Sequence, residues 1–231
     1  MDSDQKAEGY CYFDSTIREL GVTTITLNTH EAQTLDQQGY LILPNAIDQS
    51  WLIKMRQAFE NVSLRRREFP ESKQSGTRQI PDLAKEDQIF DGIFKHQKVL
   101  AAVWQILGRP FKVQQMGGRD PLPGYGQQGL HADWMPRSSP REPFYAATAI
   151  WLLDDFTKDN GATRVVPGTH HSIGKIPKAI SDPSGQHPDQ IFVLAQAGSV
   201  LVINGHLWHS GTKNNSNSSR RILQCAFVAI A

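Results

Sequence analysis

Cysteine is scarce in this chain: two in 231 residues, Cys11 and Cys225, far apart. That excludes a disulfide framework or a zinc ribbon and fits a reducing compartment. An excess of one charge is missing as well. With 24 basic against 23 acidic side chains, no general affinity for nucleic acid or an anionic membrane is expected. There is no long hydrophobic run. The least polar stretch, AQAGSVLVINGHLWHSG, carries Gln, Asn and two His and is not a membrane span. The opening MDSDQKAEGYCYFD is acidic and polar, unlike a signal peptide. The expectation is a cytoplasmic protein with no nucleic-acid or membrane partner, its oligomeric state open. An apolar share of 39% with five tryptophans suffices for a sizeable core.

The front portion has helical texture. AIDQSWLIKMRQAFENVSLRRREF has Asp48 as N-cap and Leu52, Met55, Phe59 and Val62 at helical spacing. A second helix runs through HQKVLAAVWQILG and stops at Gly108, with Pro110 just beyond. After Pro110 come short β-like runs divided by turn residues: FKVQQM, YAATAIWLL, TRVV, IFVLA, SVLVI and RRILQCAFVAI. Without helices between them, these predict an antiparallel sandwich or barrel rather than a parallel α/β sheet. No Pro/Gly/Ser linker divides the chain. One α+β domain over residues 1–231 follows, mostly helical support to about residue 108 and a β core from about 109.

GLHADW places His131 and Asp133 two residues apart. Eight histidines and fifteen aspartates yield about half such a pair by chance, so the spacing proves little alone. In an extended segment both side chains share a face and converge on one point without backbone distortion. A third ligand has to come from elsewhere, and His206 and His209 in INGHLWHSG are the candidates. Two histidines and one carboxylate form the facial triad of non-haem Fe(II) oxygenases, which leaves positions open for cosubstrate and oxygen. The plainer alternative is two turn histidines and a surface aspartate. SSRRILQCAFVAI adds Arg220 and Arg221 at the head of an apolar strand. Alternation sends one inward and one to water, and an inward guanidinium calls for an anion. A structural salt bridge would answer equally well.

LHAD, WLLDDFTKDNGATRVVPGTHH, AGSVLVINGHLWHSGTKN and SRRIL, in that order over roughly residues 111–228, resemble the phytanoyl-CoA dioxygenase family of Fe(II)- and 2-oxoglutarate-dependent oxygenases. The N-terminal LDQQGYLILPNAID resembles the family's opening strand and helix start. DNGATRVVPGTH is the most specific string, since nothing in composition predicts it. The resemblance implies a double-stranded β-helix (a cupin-like jelly roll) with N-terminal helices packed on one sheet. It implies His131, Asp133 and His209 as catalytic iron ligands, with His209 preferred to His206. It implies Arg220 as partner of the distal 2-oxoglutarate carboxylate. Gln114 would line the cosubstrate pocket, in preference to Gln115, and Thr212 would add a hydroxyl. Ala132 departs from the Gln that many relatives carry between the two ligands.

The implied reaction uses Fe(II), 2-oxoglutarate and O2 to hydroxylate a carbon of a small-molecule substrate, releasing succinate and CO2. Candidates for substrate contact are Trp134 and Trp151, Arg119, and Arg137 on the lid-like loop MPRSSPREPF, which also carries Arg141. Core packing is the default for both tryptophans, and a structural turn role for His170. The family spans fatty acyl thioesters, amino acids and natural-product intermediates, and nothing here chooses among them. Three other readings stay open. A cupin-like metal enzyme without 2-oxoglutarate would leave Arg220 without an anion. A silent jelly-roll binding protein would not need the ligand set. A halogenase would lack Asp133.

Overall fold

In this computed structural model residues 10–66 and 76–230 are described. β1 (Cys11–Tyr12) leads into the short helix α1 (Asp14–Glu19). Helix α2 (Thr29–Gln38) begins with a capping box, in which Asn28 Oδ1 accepts from Glu31 N–H and Glu31 Oε2 accepts from Asn28 N–H, each at 2.9 Å. Gly39, at φ 79°, ends it and turns the chain into β2 (Tyr40–Leu43). Helix α3 (Gln49–Arg65) is capped by Asp48, whose Oδ1 accepts from Trp51 N–H at 2.9 Å. The Leu52, Met55, Phe59 and Val62 stripe is buried as its spacing predicts. β3 (Thr77–Pro81) follows, then α4 (Gln97–Leu107), which ends at Gly108 in the left-handed region.

The remaining strands are β4 (Phe111–Pro121), β5 (Ala146–Leu152), β6 (Arg164–Val165), β7 (Ile191–Phe192), β8 (Val200–Asn204), β9 (His209–Ser210) and β10 (Ile222–Ala229). They form two antiparallel sheets. The larger runs β1-β4-β10-β5-β8-β2, with β3 also paired to β4, and the smaller runs β7-β6-β9. The front portion is thus less purely helical than expected, because β1, β2 and β3 all join the larger sheet. No helix among the described residues is long and apolar enough to cross a membrane.

Alternation divides the larger sheet cleanly. Ala147, Ala149 and Trp151, Val200 and Val202, and Leu223, Cys225 and Phe227 pack into the core shared with α2, α3 and α4. Ile150 and Leu152, Leu201 and Ile203, and Ile222 pack on the opposite face against Val165 and Val193 of the smaller-sheet layer. One face therefore carries the helices, and the space between the sheets is left for a site. Trp151 is corrected by this division. It is fully buried on the helical side, 5.8 Å from the Trp51 ring and 5.4 Å from that of His96, and no substrate between the sheets reaches it.

Candidate functional site

LHADW is not a strand. His131 makes one isolated antiparallel bridge, to His209, and the chain then bends at Asp133. The bridge is a reciprocal pair: His131 N–H donates to His209 O at 3.0 Å, and His209 N–H to His131 O at 2.9 Å. It sets the two histidines directly opposite each other, with ring centroids 4.6 Å apart. β9 is held from its other side by β6, with Val165 opposite His209.

Each imidazole is oriented by its own segment. His131 Nδ1–H donates to Gly129 O at 2.9 Å and His209 Nδ1–H to Leu207 O at 2.8 Å. Both Nε2 atoms are thereby left with a lone pair and aimed at a common point. Asp133 Oδ1 lies 3.5 Å from His209 Nε2 and 4.0 Å from His131 Nε2. Its Oδ2 accepts from Thr148 Oγ1 on β5 at 2.6 Å, which fixes the carboxylate and keeps Oδ1 for the shared point. One ligand atom from each of the three residues lies within 4.8 Å of the others. The chemistry of this donor set, two imidazole nitrogens and one carboxylate oxygen on one side of an open position, fits Fe(II).

The electrostatics suit a cation. Burial pushes His131 down to about 4, with the neighbouring His209 adding to the effect, so the ring is neutral. Burial would raise the Asp133 carboxyl, but His209 and the Thr148 hydroxyl outweigh it and hold the group well below the usual carboxylate range. Burial opposes protonation of His209, yet Asp133 beside it raises the imidazole overall.

A recess beside this trio is lined by His131, His209, Arg119, Arg220, Thr163 and Gln128. Arg220 is 5% exposed. Its backbone N–H donates to Asp120 Oδ1 at 2.9 Å, its guanidinium lies 5.1 Å from the Phe156 ring centroid, and its buried Nε has no hydrogen-bond partner. Asp120 Oδ2 is taken by Arg78 at 2.6 Å. Burial and the charge of Arg119 push Arg220 down to about 10. A buried guanidinium with an orphaned donor, in a recess that another arginine also lines, fits a carboxylate ligand.

Arg221 departs from expectation. The side of β10 that it faces is the helical layer rather than water. There its Nε and Nη2 grip Asp154 at 2.8 Å each and its Nη1 reaches Glu60 of α3 at 3.0 Å. Gln114 is also displaced. β4 is bulged there, with Ala226 opposite Gln115 and Phe227 opposite Val113, so Gln114 has no partner and its side chain leaves the recess for a groove with Tyr10 and Phe94. Beyond the bulge the register runs unbroken, so Gln115 and Arg119, four residues apart, share a face by alternation, and the two line one groove with Gln79 and Gln224. The Thr212 hydroxyl donates to Ala162 O at 2.7 Å rather than facing the recess.

Trp134, Met135, Arg137, His206 and Trp208 line a second recess on His131. Arg137 is buried and tied to its own loop, donating to Pro140 O at 2.8 Å and Glu142 O at 2.6 Å, so its charge is spent on backbone carbonyls. Arg141 is exposed. His206 lies outside the trio, and His170 is buried with Nε2 donating to Asp36 O at 3.0 Å, a structural position. Sequence reasoning missed Thr148, Gln128, Thr163 and Arg164. The last two stand in the DNGATRVV string and Gln128 just before LHAD, so a signal was present without a residue-level role. Thr148 sits in an apolar strand and gives none.

The sequence profile described as phytanoyl-CoA dioxygenase matches residues 35–222. The chain is 25% identical over 242 residues to dioxygenase af480 of Aspergillus fumigatus, covering 99% of this chain and 75% of that one. It is 31% identical over 106 residues to the Fe(II)/2-oxoglutarate-dependent dioxygenase nvfF of Aspergillus novofumigatus, 44% of this chain and 33% of that one. Its fold is that of HygX from Streptomyces hygroscopicus, whose structure holds nickel, 2-oxoglutarate and hygromycin B, with TM-score 0.75, 16% identity and 88% of each chain covered. The jelly roll is therefore the fold of this chain, and the chain belongs to the phytanoyl-CoA dioxygenase family.

Proposed function

We propose that this 2-oxoglutarate-dependent dioxygenase holds Fe(II) on His131, Asp133 and His209, anchors the distal 2-oxoglutarate carboxylate on Arg220, and hydroxylates a carbon of a small molecule. The carrying observation is the convergence of two oriented Nε2 atoms and Asp133 Oδ1 beside the orphaned Arg220 guanidinium. When bound, Fe(II) with 2-oxoglutarate and O2 supplies oxidative decarboxylation, giving succinate, CO2 and oxygen insertion into a substrate C–H bond. The chain contributes geometry. The His131–His209 bridge fixes two ligand directions, Thr148 fixes the third, and the buried Arg220 guanidinium would hold the distal carboxylate of the cosubstrate. The substrate approaches through the recess of Trp134, Met135 and Trp208, which opens on His131.

Helices and larger sheet share one core from Tyr12 to Phe227, which supports reading residues 1–231 as one dioxygenase domain. The free Cys11 and Cys225 support a reducing, cytoplasmic setting.

The test is anaerobic addition of Fe(II) and 2-oxoglutarate. A weak visible charge-transfer band should appear, and each component should raise the melting temperature, since both bind the native state alone. Asp133→Gly should fold and lose substrate-coupled succinate formation. Iron binding with no response to 2-oxoglutarate would favour the cupin-type enzyme instead.

A further inference from the structure

We infer that Arg164 is a positioning residue of the metal centre, setting the spacing between the two chain segments that carry His131 and His209. The inference rests on the reading that these histidines hold Fe(II). Arg164 is 3% exposed, and all the hydrogen-bond partners of its guanidinium are neutral oxygens. Nε donates to Ser210 Oγ at 2.7 Å, on the residue after His209. Nη2 donates to Gln128 O at 3.1 Å, three residues before His131. Nη1 donates to Gly185 O at 2.7 Å and Gln190 Oε1 at 3.0 Å, on the outer loop behind both segments.

One rigid plane thus joins both histidine-bearing segments to a third anchor. The segments are otherwise laced by the His131–His209 pair and by Gln128, whose N–H donates to Gly211 O and whose Oε1 accepts from Gly211 N–H. Asp133 is held separately, by Thr148. Arg164 therefore governs the spacing of the two imidazoles and leaves the carboxylate alone. Packing by itself gives no reason for a cation here. An apolar side chain of similar volume is cheaper to bury than a guanidinium with no carboxylate, and a positive charge is a costly neighbour for a site that takes another cation. What the guanidinium adds is several fixed donor directions in one plane, which neither an apolar chain nor a lysine supplies.

The test compares wild type, Arg164→Met, Arg164→Lys and Arg221→Met, titrating Fe(II) anaerobically at saturating 2-oxoglutarate and following the charge-transfer band. Arg164→Met should weaken Fe(II) binding by about 10–100-fold, the range for lost outer support of a metal ligand, and should shift or broaden the band. Arg164→Lys should recover only part, since one ammonium cannot reach both segments and the outer loop. Arg221→Met is the stability control: its ion pairs lie on the far face of β10, so it should lower the melting temperature and leave iron affinity and band unchanged. Should Arg164→Met not fold, Ser210→Ala removes the Nε acceptor alone and should show a smaller loss in the same direction. Wild-type affinity and an unshifted band in Arg164→Met or Ser210→Ala would overturn the inference. So would an equal loss in Arg221→Met, which would trace the effect to stability. A wild type that binds no iron would instead defeat the functional reading beneath it.

Discussion

Arg220 and Arg221 are neighbours with the same charge, and the strand turns them into different instruments. Arg220 points between the sheets with an unpartnered Nε, while Arg221 is claimed by Asp154 and Glu60, which raise its already high pKa. Arg220→Ala should weaken 2-oxoglutarate binding by about 2–4 kcal/mol, as expected for losing one partner of a buried charge-assisted pair. Arg221→Ala should change that affinity by less than about 1 kcal/mol and cost the fold about 1–2 kcal/mol instead, because it removes the side-chain bonds to Asp154 and Glu60 and leaves Asp154 with the backbone N–H of residue 221 and Arg56. Isothermal titration with 2-oxoglutarate and urea unfolding separate the two. Equal losses of affinity would mean that both face the cosubstrate. Alternation alone yields one inward arginine, so this much is legible in SSRRIL. What water and what protein lie on the other face is not, because Asp154 and Glu60 arrive from elsewhere in the chain. The same limit hides Thr148, which meets Asp133 only through the packing of β5 beneath the bend.

At the scale of elements, helix ends and strand runs follow local chemistry. Asp48 and Gly108 bound α3 and α4 where capping predicts, and the apolar runs after Pro110 become β4, β5, β6, β7, β8 and β10. Two features escape local reading. The bulge at Gln114 reverses side-chain parity along β4, so a correct strand assignment still misdirects Gln114. The metal-bearing LHAD is a bridge and bend whose convergence comes from pairing with β9 rather than from strand alternation. The DNGATR string has an explanation at this scale. Asn160 closes the turn by accepting from Thr157 N–H and donating to Asp155 O, and Gly161 then passes under the chain after His209. Gly161 has φ 86°, and a Cβ there would stand 2.6 Å from Thr212 O and 3.0 Å from Asn214 N. Both neighbours are backbone and cannot swing aside. Gly161→Ala should therefore destabilise by more than about 1 kcal/mol, lowering the melting temperature by at least about 2–4 °C. A variant that melts with wild type would show that the turn can open at no cost.

For the whole molecule, the helical layer and the metal-side turns are joined through His170. Its Nε2 donates to Asp36 O at the end of α2, its ring lies 3.9 Å from that of His171, and Phe144, Arg137 and His206 close around it. Burial pushes its pKa down to about 4, and the neighbouring His171, Arg137 and His206 add to this. The consequence has a definite sign. In the unfolded chain the imidazole takes a proton near its ordinary pKa of about 6.5, whereas the folded protein refuses it until about pH 4. Between those limits the unfolded state binds more protons, so stability is fully present above about pH 6.5 and falls as pH drops toward 4. From pH 7.5 to pH 5 the loss through this one group should reach about 2 kcal/mol. His170→Gln offers a side chain that can still donate to Asp36 O and has nothing to titrate. Urea unfolding of both proteins at pH 7.5, 6.5, 5.5 and 5, stripped of metal, isolates the effect, because groups common to both cancel in the difference. Wild type should lose about 2 kcal/mol more than His170→Gln over that range. Parallel pH profiles would mean that His170 takes its proton in the folded state as readily as in the unfolded one, and that the joint between α2 and the metal-side turn tolerates the charge.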